Sequence, residues 1–166
     1  TDKVPFHGGI NWDDLDVKDI NIIARDLQFK ASVMSGFAEH VSFQEKSGYR
    51  AESISGSAKV GRGKTIVENL RLKDPWSDIR MPFYIMSYDN VKAFSDFIHK
   101  VKIDGSIDES RIDFKTLSYF APQLAENHIK ALVSGDVSGY IDGFNLKDIY
   151  IATSSGGFSG TVNGKI

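Results

Sequence analysis

The chain has 166 residues, no cysteine, 41% hydrophobic residues and 25% charged residues. That is long enough to bury the core of one domain, and too apolar for a disordered chain. Twenty Lys+Arg against 22 Asp+Glu leave a net charge of −2, without the basic surplus that binding a nucleic-acid backbone requires.

With no cysteine there is neither a disulfide framework nor a thiolate zinc site, and the compartment stays open. The longest apolar run, Met81 to Met86, is too short to cross a bilayer. The chain opens on Thr1 rather than Met, so a fragment of a longer protein is expected, lacking its targeting sequence. Residues 1–166 read as a single β-rich domain.

Seventeen Ile and 11 Val stand against 8 Leu. β-branched side chains suit a pleated sheet and lose rotamer freedom in helices. In chain order, a six-residue phrase comes first: apolar, variable, Asp/Asn/His, aliphatic, variable, aliphatic or Phe. It begins at Val17, Ala24 and Ala38, and again at Val67 and Leu146. Its third residues are Asp19, Asp26, His40, Asn69 and Asp148. Apolar residues at positions one, four and six share a face only if one extra residue bends the strand between them, as in a β-bulge. Asp, Asn and His tolerate the unusual backbone angles of such a bend. A second phrase, Ser-Gly followed by alternation, precedes two copies, at Ser55-Gly56 and Ser134-Gly135.

Between these phrases lies period-two alternation, the mark of a strand with one buried and one wet face. Ile79, Met81, Phe83 and Ile85 form one such series. Next, Asp89 or Asn90 is placed to cap a helix of about three turns with Val91, Phe94, Phe97, Ile98 and Val101 on one side. Such a helix lies across a sheet or plugs its end. A second, short helix is expected from Thr116 through Leu117 and Phe120 to Leu124, with Pro122 ending or kinking it. Alternation returns from Ile129 to Ile141, and from Phe158 to Ile166. The fold class is therefore mainly β, an antiparallel meander with one amphipathic helix near 90–100 and a short helix near 117–124.

Four segments carry a resemblance: Val41 to Tyr49, Leu70 to Ile79, Phe94 to Phe97, and Leu117 to Leu124. In content and order the chain resembles the TamB-like, AsmA-superfamily envelope proteins of Bacteroidetes type, over most of residues 10–166. The resemblance implies a curved β-sheet forming a trough with an apolar lining, an internal segment of a much longer protein. It also implies a periplasmic or cell-envelope location, with an inner-membrane anchor in the full-length protein. The implied role is outer-membrane biogenesis, by phospholipid transfer or by assembly of outer-membrane proteins. The implied partners are phospholipid acyl chains and outer-membrane assembly proteins. Membrane contact would be made by parts of the full protein outside this chain. On this reading Phe29, Phe43, Phe83, Val133 and Val137 are the groove-lining candidates, with sealed core as the plainer role for each. An open sheet end is expected to pair with a further segment or with a second copy.

Motifs for chemistry are thin. Gly61 to Thr65 has the tail of a phosphate-binding loop, but Ala58 stands where the first glycine belongs and a strand follows, so a hairpin turn is expected. His7, His40, His99 and His128 lack metal-ligand spacing. Ser159 has Thr161 where a nucleophile elbow needs glycine. The acidic groups at Asp13, Asp14, Asp16 and Asp19, and at Asp104, Asp108, Glu109 and Asp113, lack a calcium loop. They read as strand-edge charges. No enzyme, cofactor or metal is expected. The alternative reading is a secreted or surface β domain binding a glycan or protein partner through Trp12, Trp76, Tyr84, Tyr88 and Tyr150.

Overall fold

A computed structural model describes residues 9–11, 14–120 and 129–165. Among the described residues nine strands follow one another in a single antiparallel meander, in the spatial order of the sequence, and the sheet they form does not close. They are β1 (Val17–Lys30), β2 (Val33–Glu45), β3 (Arg50–Val60), β4 (Lys64–Lys73) and β5 (Asp78–Ser87). After a helical crossover come β6 (Lys102–Asp113), β7 (Lys130–Tyr140), β8 (Gly143–Thr153) and β9 (Ser159–Lys165). Strand spacing makes the sheet about 38 Å from β1 to β9.

The helical segments are shorter than the pattern predicts. The expected three-turn helix near 90–100 is a 3₁₀ helix, Val91–Asp96, followed by a single α turn, α1 (Phe97–Lys100). Asn90 does cap it, its side chain accepting from the Lys92 N–H at 2.9 Å. The reason for the difference is topological. Ser87 and Lys102 are direct partners across β5 and β6, so the crossover must leave and return to one point, which a straight helix cannot do. The second helix, α2 (Phe114–Ser118), begins before Thr116 and is capped by Asp113, whose carboxylate accepts from the Lys115 N–H. Pro122 and Leu124 lie outside the described residues.

The six-residue phrase has a direct backbone counterpart. Asp19, Asp26, Asn69 and Asp148, its third residues in four copies, all have φ between 51° and 55°. At each of these the register slips by one residue against a neighbouring strand. The Ala38 copy has the slip, between Ala38 and Val41, without a left-handed residue at His40. Two further slips, one between Val41 and Phe43 where β2 pairs with β3 and one between Ile107 and Ser110 on β6, have no counterpart in the phrase.

Across β2 to β9 these irregularities line up. Ala38 pairs with Gly56, and Gly56 lies against Glu68 and Leu70, the residues on either side of Asn69. Asn69 stands level with Pro82, between the Glu68–Phe83 and Leu70–Met81 pairs. Ile107 pairs with Gly135, which lies against Asp148. The Asp148 N–H donates to the Asn163 Oδ1 at 2.7 Å. Bulges bend strands, so one line of bends crosses the sheet at mid-strand.

The glycines on this line are required by contact. A β-carbon at Gly135 (φ 132°) would stand 2.6 Å from the Asp148 carbonyl oxygen. At Gly56 (φ 153°) it would stand 3.1 Å from the Glu68 oxygen. The Ser-Gly phrase is thus the partner strand of the bulge phrase.

The buried core is small and divided. The solvent-accessible area is 10630 Å², against about 8,200 Å² for a compact chain of this mass. One cluster (Tyr88, Ala93 and Val101, with Met86 and Phe97) packs the 87–102 crossover at one rim. Another (Ile10, Tyr49 and Ala51, with Phe43, Ile54 and Tyr119) packs α2 at the opposite rim.

Candidate functional site

Residues directly opposite each other on neighbouring strands project to the same face, so the pairing defines rows across the sheet. One row runs Phe29, Met34, Val60, Thr65, Met86, Ile103, Gly139 and Phe144, from β1 to β8. A second runs Gly36, Ala58, Val67, Tyr84, Gly105, Val137, Leu146 and Gly164, from β2 to β9. Only Thr65 and the Tyr84 hydroxyl interrupt their apolar character. The row between them, Gln28, Ser35, Lys59, Ile66, Ile85, Asp104, Ser138, Asn145 and Lys165, is mostly polar and faces the other way.

Beyond the line of bends the apolar series resumes. Ile22, Val41, Ile54, Leu72 and Ile79 form one row, and Ser110, Val133, Ile151 and Gly160 another. The extra residue at each bulge returns them to the face they would otherwise have left. Gly105 gives the direct check. A β-carbon there would meet both the Met81 Cε, from one side of the bend, and the Tyr84 ring, from the other. Burial among these apolar groups pushes the Tyr84 hydroxyl up to about 12. One face of the sheet is therefore apolar along most of every strand.

Four of the five lining candidates lie on this face: Phe29 and Val137 on one side of the bends, Phe43 and Val133 on the other. Phe83 does not. It pairs with Glu68 and Ser106, two residues along β5 from Ile85 of the polar row, and shares that row's face. The expected series Ile79, Met81, Phe83, Ile85 changes face at Pro82, whose missing N–H suits a break in the ladder. Tyr84 is the residue of the apolar face that simple alternation misses. The phrase starting at Val67 points to it, because Val67 and Leu70 must share a face and Tyr84 pairs with Val67.

Two lobes fold over this face from opposite rims. From the 87–102 crossover, Phe94 meets Tyr88 edge-on at 4.8 Å, and the Tyr88 hydroxyl bonds Thr65 at 2.9 Å. His99 lies 2.7 Å from Asp96 and 3.8 Å from Asp142 in the β7–β8 turn. Its bond to Asp96 holds the imidazole above its usual pKa.

At the other rim Trp76 stacks on Tyr119 at 5.8 Å, and Tyr119 packs on Tyr49 at 5.5 Å. A closed network anchors this lobe. Thr116 donates to Asp74 at 2.7 Å and meets Ser77 at 2.7 Å, while Ser77 accepts from the Asp113 N–H at 2.9 Å. The cleft beside it, about 430 Å³, is lined by Lys73, Asp78, Asp113, Arg111 and Lys130. Most of its charges are already used. Arg71 grips Asp78 with both nitrogens, at 3.1 and 2.8 Å, and Lys130 lies 3.6 Å from Asp113. The Arg71 bond holds the Asp78 carboxyl below its ordinary range.

The other candidates are dispersed. Gly61 to Lys64 make the β3–β4 turn, closed by the Gly61 N–H on the Lys64 carbonyl. Among the described residues no three His, Asp or Glu groups converge on a metal-holding arrangement, and no helix is long and apolar enough to cross a membrane. The described aromatics among those named for a glycan platform lie apart from one another. Trp76 is stacked in one lobe, Tyr88 is buried in the other, Tyr84 lies on the apolar face, and Tyr150 pairs with Ser134 and Thr161. Trp12, Asp13, His7 and His128 fall outside the described residues. Comparison with protein-family models, curated proteins and solved structures returned no match.

Proposed function

We propose that this chain is a non-enzymatic segment of a TamB/AsmA-like cell-envelope protein, and that its apolar face carries phospholipid acyl chains. The observation that supports this reading is the pairing of two features along one direction. The apolar rows run across the strands, and so does the line of bends. A sheet bent along such a line is a trough, its two walls apolar and facing each other. Its axis runs from β1 to β9, with the bulges as its floor and the two aromatic lobes at its rims. Side chains there are apolar over a length that suits an extended acyl chain, and each buried methylene contributes about 0.8 kcal/mol. Large uncovered apolar surfaces mark binding sites.

On this reading the protein works in the periplasm in outer-membrane biogenesis. Anchoring and contact with outer-membrane assembly proteins belong to other parts of the full-length protein. The test is native mass spectrometry of the chain purified from a bacterial lysate containing membranes, with lipid extraction from the same sample. Phospholipid retained in stoichiometric amount is the expected result. A lipid-free chain that also takes up no lipid from added vesicles contradicts the proposal.

A further inference from the structure

Tyr84 stands on β5 between Val67 of β4 and Gly105 of β6, its direct partners. Gly105 makes room for the ring, whose Cδ2 would lie 3.6 Å from a β-carbon there. The four apolar rows of this face hold three polar side chains, Thr65, Ser110 and Tyr84, and no charged one. Two of the three are spent. Thr65 bonds the Tyr88 hydroxyl at 2.9 Å, and Tyr88 donates onward to the Gly61 carbonyl. Ser110, fully buried, donates to the Asp108 carbonyl and accepts from the Arg80 N–H. Among the described residues the Tyr84 hydroxyl has no partner. Burial pushes it up to about 12, so it stays protonated, a donor, through the neutral range.

We propose that the Tyr84 hydroxyl anchors the lipid on this face by donating to an ester carbonyl of a glycerophospholipid, an assignment that rests on the lipid-carrying reading. Acyl chains laid over the apolar rows displace the solvent that would otherwise serve the hydroxyl. A lipid with an acceptor at that point restores the bond, and one without it leaves a donor unpaired. The acceptor must be neutral. An ionised carboxylate or phosphate beside Tyr84 would exchange its hydration for one uncharged donor, with no cation on these rows, at a net cost. An ester carbonyl gives up far less hydration, and it sits where the apolar chains join the headgroup. A single donor among apolar rows therefore fixes the chain–headgroup junction at β5, with the chains running along the rows and the headgroup left in solvent.

The test offers the delipidated chain vesicles of equal parts diester phosphatidylcholine and its diether analogue with matched chains. Mass spectrometry of the retained lipid then reads the ester-to-ether ratio directly. The parent chain should favour the ester by about three- to tenfold, the worth of one neutral hydrogen bond. Tyr84→Phe, folded by circular dichroism, should bring the ratio to about one. With an isotope-labelled ester carbonyl, the infrared band of the retained lipid should move to lower frequency in the parent and return in Tyr84→Phe. Lipid retained by the parent without preference overturns the assignment and leaves the lipid reading standing. A preference that survives Tyr84→Phe overturns it equally. No lipid of either kind retained contradicts the lipid reading, and the assignment falls with it.

Discussion

Gly135 on β7 lies directly against Asp148 on β8, so close that a β-carbon would stand 2.6 Å from the Asp148 carbonyl oxygen. Asp148 itself sits at φ 51°, a conformation most residues avoid. The bend in these two strands is therefore shared between a residue that tolerates left-handed geometry and a residue with no side chain to obstruct it.

This pairing predicts opposite outcomes for two substitutions. Gly135→Ala should destabilise the fold by about 2–4 kcal/mol, combining a backbone clash with a left-handed alanine. Asp148→Gly should be neutral or stabilising by up to about 1 kcal/mol, while Asp148→Val should cost about 1–2 kcal/mol. Urea denaturation of the three variants measures all of this. Equal losses for Gly and Val at position 148 would mean that the Asp side chain, rather than its backbone angle, matters there.

Much of this bend was legible in the sequence. Apolar positions one, four and six around Asp19, Asp26, Asn69 and Asp148 require a change of face, and the backbone turns left-handed at those residues. Phe83 was misread for the same reason. No Asp or Asn marks the bend in β5, where Pro82 takes that place, so period-two alternation carried Phe83 onto the wrong face. The crossover helix was overcalled because helical spacing of Val91, Phe94 and Phe97 says nothing about chain closure. That constraint comes from the Ser87–Lys102 pair, a tertiary fact. The slip at Asp108 and Glu109 has no left-handed residue and left no pattern to read.

The lobe at the α2 rim separates a satisfied from an unsatisfied hydroxyl. Thr116 is 2% exposed and bonds both Asp74 and Ser77. Thr116→Val should therefore cost about 2–3 kcal/mol by leaving buried partners unpaired. Among the described residues the buried Tyr49 hydroxyl has no hydrogen-bond partner, and burial with the nearby Asp74 charge raises its pKa far above the usual phenol value. Tyr49→Phe should be neutral or stabilising by up to about 1 kcal/mol. A thermal melt decides between these outcomes.

Acid sensitivity should trace to Asp78. Its folded pKa is depressed, first by the Arg71 hydrogen bond. Its pairing therefore contributes stability above the unfolded value of about 3.9 and loses it as pH falls through the folded one. Arg71→Gln should flatten the stability profile below about pH 4 and leave it parallel to the parent at neutral pH. An unchanged acid limb would assign it to other carboxylates.

At the opposite rim the sign reverses. His99 has a raised pKa because of its bond to Asp96, with Asp142 adding to it and Lys100 opposing. Its contribution is complete below the unfolded imidazole value of about 6.5 and fades as pH rises through the folded one. Hydrogen exchange across residues 91–100 should quicken over that interval beyond its intrinsic pH dependence. His99→Gln should remove the excess.

The central claim is that acyl chains lie on one face of the sheet, and a nitroxide-labelled phospholipid reads this directly. With the label on the acyl chain, NMR signals of the Val67, Val137 and Leu146 methyls should broaden strongly, and those of the Phe37 and Phe83 rings should not. Broadening absent from the methyl row, or equal on the two faces, would contradict the account.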